Sequence, residues 1–193
     1  RSFYTWKTLC DELVSDGAGG TAKRAICDTV LDESGDGWEV VNAIARSAWG
    51  HLVPTGQQIS VVVDDEASPV ALLGMSDVNQ FSVRYDSRDT RPNVIEADFK
   101  NVTTDYEDDQ AQRVDDGVWT DDDTVIKHRL ALVGVTRPIQ AFRQCQFRLN
   151  WADKVGKVAT FKAGIEAIHL LPGDVVNLSH RSVDWGVSGR VLS

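Results

Sequence analysis

Apolar residues recur along the chain in two periods. From Tyr4 to Val14, the residues Trp6, Leu9, Cys10 and Leu13 fall three to four positions apart, the spacing of one helical face. Ser15-Asp16-Gly17-Ala18-Gly19-Gly20 stops this helix, because glycine lets the chain reverse. Arg24 to Leu31 reads as a short strand, with Ala25, Cys27 and Val30 as candidates for burial. A turn follows over Asp32 to Gly37, and Asp36 can cap a helix from Trp38 to about Trp49. Trp38, Val41, Ala45 and Ala48 share the apolar face of that helix, with Ile44 and Trp49 beside it. His51-Leu52-Val53 and the β-branched run Gln58 to Val63 flank Pro54-Thr55-Gly56, which predicts a hairpin. Residues 24–66 thus read strand–helix–strand–strand.

Beyond Ser68-Pro69 the period shortens to two. Phe81 to Tyr85 alternates, and so does Val94 to Phe99, where Ile95, Ala97 and Phe99 face one way and Val94, Glu96, Asp98 and Lys100 the other. The Asp86–Asn93 loop between them predicts an antiparallel pair. Val125 to Val135 is another strand pattern. Thr136-Arg137-Pro138 then opens a helix over about 138–153, since proline is tolerated in a first turn. Its apolar stripe is Ile139, Phe142, Cys145 and Leu149, with Arg143 and Arg148 off the stripe. Val155–Phe161, Gly164–His169, Asp174–Leu178 and Trp185–Leu192 read as strands, and Leu171-Pro172-Gly173-Asp174 as a turn. The expected class is α+β. A small strand–helix–hairpin domain occupies 1–68, and a β-rich, barrel-like domain with one packed helix occupies 69–193.

Charge changes this picture at one place. The chain of 193 residues carries −9, and the segment Asp105–Asp123, with nine acids and the single base Arg113, holds −8 of it. The rest is near neutral, which argues against a nucleic-acid backbone as the main partner. The segment itself reads as a solvated loop. No apolar run approaches the roughly 18–20 residues that span a bilayer, so no membrane span is expected. The N-terminus has no signal-peptide apolar region. It lacks Met at position 1, and Arg190-Val191-Leu192-Ser193 reads as part of a strand, so the chain reads as an internal fragment of a longer protein.

Candidate chemistry is sparse. Cys10, Cys27 and Cys145 have no metal spacing and read as reduced, mostly buried thiols. Asp32-x-Ser34-x-Asp36-Gly37 begins like a calcium loop, but its twelfth position is Ala43 instead of glutamate. Asp121-Asp122-Asp123 lacks ligands converging from other elements. His51, His128, His169 and His180 form no H-x-x-H pattern, and no G-x-S-x-G elbow occurs. Gly17-Ala18-Gly19-Gly20 follows a helix and lacks the G-K-[ST] of a phosphate loop. Trp6, Trp38 and Trp49 fall in helical patterns, which favours core packing over a sugar-binding surface. No catalytic, cofactor-binding or metal-ligating residue is assigned, and no cofactor is expected.

Five stretches in order resemble one family. They are Cys10-Asp11-Glu12-Leu13-Val14-Ser15-Asp16-Gly17-Ala18-Gly19-Gly20-Thr21, the Trp38 helix with its hairpin, Asn93-Val94-Ile95-Glu96-Ala97-Asp98-Phe99, Thr136-Arg137-Pro138-Ile139-Gln140-Ala141-Phe142-Arg143, and Phe161-Lys162-Ala163-Gly164-Ile165-Glu166 through Leu171-Pro172-Gly173-Asp174-Val175-Val176. From about Cys10 to the C-terminus the chain is similar to the tip attachment (host-specificity) protein J family of lambda-like tailed bacteriophages. That resemblance implies a non-enzymatic structural piece of the central tail hub, with a small α/β insertion beside β-barrel hub domains. It implies a homotrimer in the full-length protein, although the fragment alone can be monomeric. It also implies contacts with other tail-tip and tape-measure proteins, host attachment through regions outside this segment, and closure of the tail tube. The expected location is the distal tail tip of a virion assembled in bacterial cytoplasm, encoded by a phage or a prophage. In such a hub the acidic segment would face the channel lumen, solvent, or a basic neighbour. Two other classes compete. Surplus carboxylates and Trp suggest a carbohydrate-binding or cell-wall-hydrolysing module, and the acidic loop suggests a metal-dependent adhesion module.

Overall fold

A computed structural model describes residues 2–31, 36–85, 87, 90–115, 124–181 and 187–192. The chain opens with helix α1 (Ser2–Asp11), followed by a short antiparallel pair, β1 (Leu13–Ser15) and β2 (Thr21–Lys23). Asp16 holds the reversal between them, its Oδ1 accepting from the amides of Ala18 at 2.9 Å and Gly20 at 2.8 Å. The expected glycine stop is therefore real, but the helix ends earlier than Val14 and Leu13 already belongs to a strand. The strand expected over 24–31 is absent. The amides of this stretch are satisfied elsewhere, Ala25 by the Cys10 carbonyl, Ile26 by the Gln140 side chain and Asp28 by the Gly134 carbonyl. Ala25 is buried, whereas Cys27 is exposed and Val30 is 87% exposed.

Helix α2 (Gly37–Ser47) starts as expected, with the Asp36 carboxylate accepting from Trp38 N at 3.0 Å. It packs on the predicted hairpin of β3 (Gly50–Thr55) and β4 (Gln58–Val63). Ala45, Leu52 and Val61 form their shared core, and Trp6 of α1 closes it. The Trp6 indole donates to the Ala48 carbonyl at 2.8 Å, so its one polar atom is satisfied at the core's edge.

The second core lies under helix α3 (Pro138–Lys154). Strand β7 (Val94–Asn101) is the centre of a three-stranded sheet, antiparallel to β8 (Glu107–Val114) and parallel to β9 (Lys127–Ala131). Its alternation is as read from the sequence: Ile95, Ala97 and Phe99, with Ala111 of β8, face Ala141, Cys145 and Leu149 of α3. The opposite face is tied by ion pairs across the strands, Lys127–Glu96 at 2.7 Å and Arg129–Asp98 at 2.6 Å.

Two expectations fail here. The acidic segment is not simply a loop: Glu107–Val114 is strand β8, with Ala111 buried on the inner face and carboxylates exposed along the sheet edge. Asp105, Tyr106 and Asp115 flank the strand, and residues 116–123 lie outside the described residues. The stripe on α3 is also broader than expected. Gln140 and Gln144 are buried, because α3 is sandwiched between the sheet and the N-terminal elements. Gln140 accepts from Ile26 N at 3.0 Å, and Gln144 donates to the Ser47 carbonyl at 2.8 Å.

The third core joins β5 (Ala71–Leu73), β6 (Val78–Tyr85), β10 (Lys157–Ala163), β11 (Val175–Leu178) and β12 (Val187–Arg190). Leu73, Val78 and Leu178 are buried in it, with Phe81 and Phe161 stacked alongside. The pairing of β6 with the Val94 strand does not occur. β6 pairs antiparallel with β10 instead, with a bulge at Gln80, whose φ is +53°. β11 lies between β5 (parallel) and β12 (antiparallel). The strand expected over Gly164–His169 is a single 3₁₀ turn, Ile165–Ala167. The class is α+β, but among the described residues no barrel closes, because the sheets of the second and third cores share no strand. Side chains bind the segments on either side of residue 68. Arg190 donates to the carbonyls of Asp65 at 2.6 Å and Gly173 at 2.7 Å, and Thr136 donates to Asp28 at 3.1 Å.

Candidate functional site: a cationic cleft at the end of the long helix

The last two turns of α3, the segment before β7 and the start of β9 enclose a cleft of about 270 Å³. Its lining includes the guanidinium groups of Arg91 and Arg148 with the His128 imidazole, and its apolar part includes Ile95, Trp151 and Val155. The topology explains the convergence. Ile95 and His128 are direct partners in the parallel β7–β9 register, so His128 lies on the α3 side of the sheet. Arg148 and Trp151 are three residues apart on α3 and share a helical face. Arg91 reaches across to the helix end, where Gly156 lies so close to its guanidinium that a Cβ there would collide.

The electrostatics of the cleft are one-sided. Burial pulls the Arg148 guanidinium below its ordinary pKa, the neighbouring Arg46 adds to this, and Asp64 opposes it. His51 is lowered by burial and then by Arg46 and Arg148. Arg46 and Arg148 therefore crowd like charge beside the opening, and they hold the nearby His51 toward its neutral form. The Arg148 guanidinium forms no hydrogen bond with any described residue, and among the described residues no carboxylate lines the cleft. Such a site attracts an anion. The apolar rim, with Trp151 45% exposed and Val155 38% exposed, suits an anion carried on a peptide.

Other candidate chemistry does not assemble. Among the described residues, no group of three or more His, Cys, Asp or Glu could hold a metal ion. The calcium-like start at Asp32–Ser34 and the run Asp121–Asp123 lie outside those residues. The four histidines remain apart: His180 stacks on Phe81 at 4.1 Å, His128 lines the cleft, and His51 and His169 are exposed. The thiols are free, with Cys145 buried, Cys10 half-buried and Cys27 exposed, so burial holds for only part of the set. Trp6 is a core residue as expected, but Trp38 is 39% exposed. No helix among the described residues is long and apolar enough to cross a membrane. The cleft was not evident from sequence because Arg91, His128 and Arg148 come from three separate segments. The only local signal is the three-residue spacing of Arg148 and Trp151.

Residues 36–191 match the family described as putative phage tail protein. The chain is 28% identical over 211 aligned residues to the tip attachment protein J of Escherichia phage SECphi4, covering 100% of this chain and 17% of that protein. It is 26% identical to the tip attachment protein J of Escherichia phage SECphi27, covering 99% of this chain and 16% of that protein. It thus spans about a sixth of the length of these curated relatives. Its fold is similar to one in the virion of a native gene transfer agent particle, with TM-score 0.59, 15% identity, and coverage of 86% of this chain and 38% of that one. A tail protein from Neisseria meningitidis MC58 gives TM-score 0.56 at 14% identity, covering 83% of this chain and 50% of that one. With most of its length matched by the family and all of it aligned to tail-tip relatives, the chain belongs to the putative phage tail proteins and is a structural tail component.

Proposed function

We propose that this chain is a segment of the central hub of a phage tail tip, where the complete protein closes the tail tube and connects it to host-attachment parts. The observation that carries this reading is the end-to-end alignment to two tip attachment proteins. In this reading the complete protein is a homotrimer at the distal end of the virion, assembled in the bacterial cytoplasm from a phage or prophage gene. It contacts the tape-measure and neighbouring tip proteins. Residues 1–68 act as a small insertion domain on the hub portion formed by 69–193. The segment has no catalytic role. The lining of its cleft, which holds no carboxylate among the described residues, supports this, since glycoside hydrolysis requires two carboxyl groups across the substrate.

Immunogold labelling of intact virions with antibody raised against this chain tests the reading. Label is expected at the distal tail tip, and nonsense mutation of the gene should abolish infective tails. Label on the capsid, or a virion preparation free of the protein, would refute it.

A further inference from the structure

The cleft and the acidic edge of the same sheet stand at opposite corners. Glu107, Asp108 and Asp109 begin β8 and pair with the C-terminal end of β7, whereas His128 pairs near the N-terminal end of β7 on the other edge. Six residues of strand separate the Asn101–Glu107 row from the Ile95–His128 row, roughly 20 Å along the sheet. The acids therefore cannot reach the cleft of their own chain.

Their chemistries are complementary. The acids sit on the tip of the β7–β8 connection. There a 3₁₀ turn, Val102–Thr104, leads into two left-handed residues, Asp105 at φ +58° and Tyr106 at φ +62°, and the Tyr106 amide donates to the Asn101 carbonyl at 2.8 Å. This tip carries exposed Tyr106 and Val102 beside its carboxylates, and the cleft carries exposed Trp151 and Val155 beside its cations.

We propose that the cleft is a docking site for a second copy of this chain, receiving the Asp105–Asp109 tip of its neighbour against Arg91, His128 and Arg148. The contact is head-to-tail. Each subunit offers one tip and one cleft on different surfaces, so repetition closes a ring if the rotation permits. The proposal rests on the tail-hub reading for its biological setting. Its test probes the contact alone, so virion labelling at the tail tip stands or falls separately.

Sedimentation velocity of the 193-residue chain across a concentration series, at low and high salt, tests the contact. The expected result is self-association that weakens with added salt, because the paired charges are screened. Arg148→Glu reverses the cleft, and Glu107→Arg with Asp108→Arg reverses the tip. Each variant alone should weaken self-association tenfold or more, and mixing the two should restore association between unlike copies, since a contact between the two variants is again complementary while contacts between like copies still repel. Circular dichroism checks folding. If Arg148→Glu fails to fold, the tip variant, confined to exposed side chains, carries the test with a charge-reversed Arg91→Glu partner. A chain that stays monomeric at low salt and high concentration overturns the proposal. So does association indifferent to the tip variant, which would assign the cleft to another occupant, and so does a mixture that does not recover.

Discussion

Gly173 lies against Val62. A Cβ on Gly173 would come within 2.5 Å of the Val62 Cγ1 and 2.7 Å of its Cγ2, and the residue's φ is +98°. Gly173 thus serves two needs of the Leu171–Asp174 turn at once: a left-handed backbone and close approach of the third core to the β3–β4 hairpin. Asp174 fixes the turn by accepting from the Leu171 amide at 2.8 Å. Gly173→Ala is expected to cost about 2–4 kcal/mol, combining backbone strain with overpacking. Urea denaturation should show a lower midpoint at unchanged slope. A midpoint within error of the parent would mean that the hairpin yields freely.

The Gln144–Ser47 hydrogen bond predicts a second loss. Gln144 is 2% exposed and its amide satisfies a carbonyl at the end of α2, so the bond ties the first core to the second. Gln144→Leu keeps the volume roughly constant but leaves the Ser47 carbonyl buried without this donor. The expected cost is about 1–3 kcal/mol. Thermal unfolding of the variant beside Gln146→Leu, an exposed position on the same helix, isolates the effect. Equal melting temperatures for the two would contradict the prediction.

These buried glutamines also show where sequence reading reached its limit. Periodicity located α2, α3 and the β3–β4 hairpin, because each buries one continuous face whose spacing is local. It placed Ile95, Ala97 and Phe99 correctly for the same reason. It could not show that α3 is covered on two sides, so Gln140 and Gln144 fell outside the apolar stripe read from the sequence. Strand pairing failed at β6, which skips the adjacent strand and pairs with β10 some seventy residues on, a choice set by the third core and not by the connecting loop. The acidic run was read by charge alone. Ala111, its one fully buried residue, packs under α3, and Arg113 on the same face sits over the Phe142 ring. The cleft depends on that same non-local sheet order, which brings His128 beside Arg148.

The three thiols should differ in reactivity in the order of their exposure. Burial pushes the Cys145 thiol up to about 11, and its Sγ lies 3.6 Å from the Ala111 carbonyl within the second core. Cys10 and Cys27 are also raised by burial, with adjacent carboxylates Asp11 and Asp28 adding to it. Only the thiolate attacks a disulfide reagent, so all three react more slowly than a free peptide thiol at pH 8. Cys27, exposed, should label first, Cys10 more slowly, and Cys145 only after denaturant is added. Mass spectrometry of timed labelling reads the order directly, and early modification of Cys145 would contradict it.

Asp11 governs a pH dependence of the N-terminal layer. Its carboxylate accepts from Lys23 at 2.7 Å and from Lys7 at 2.5 Å, which joins α1 to β2. The Lys23 hydrogen bond and then the Lys7 hydrogen bond lower its pKa from 3.8 to about 2. A folded-state pKa below the unfolded value means that the folded chain holds fewer protons between the two values. The contribution to stability is therefore fully present above about pH 4, the unfolded carboxyl value, and disappears as pH falls through about 2. The group is exposed, so solvent screening keeps the effect modest. Asp11→Asn should lower the melting temperature slightly at pH 7, with the difference shrinking from about pH 4 downward and vanishing only as pH falls through about 2. Carboxyl chemical-shift titration of the parent should place the Asp11 midpoint well below that of an ordinary aspartate. A midpoint near 3.8 would show that Lys7 and Lys23 do not hold the carboxylate in solution.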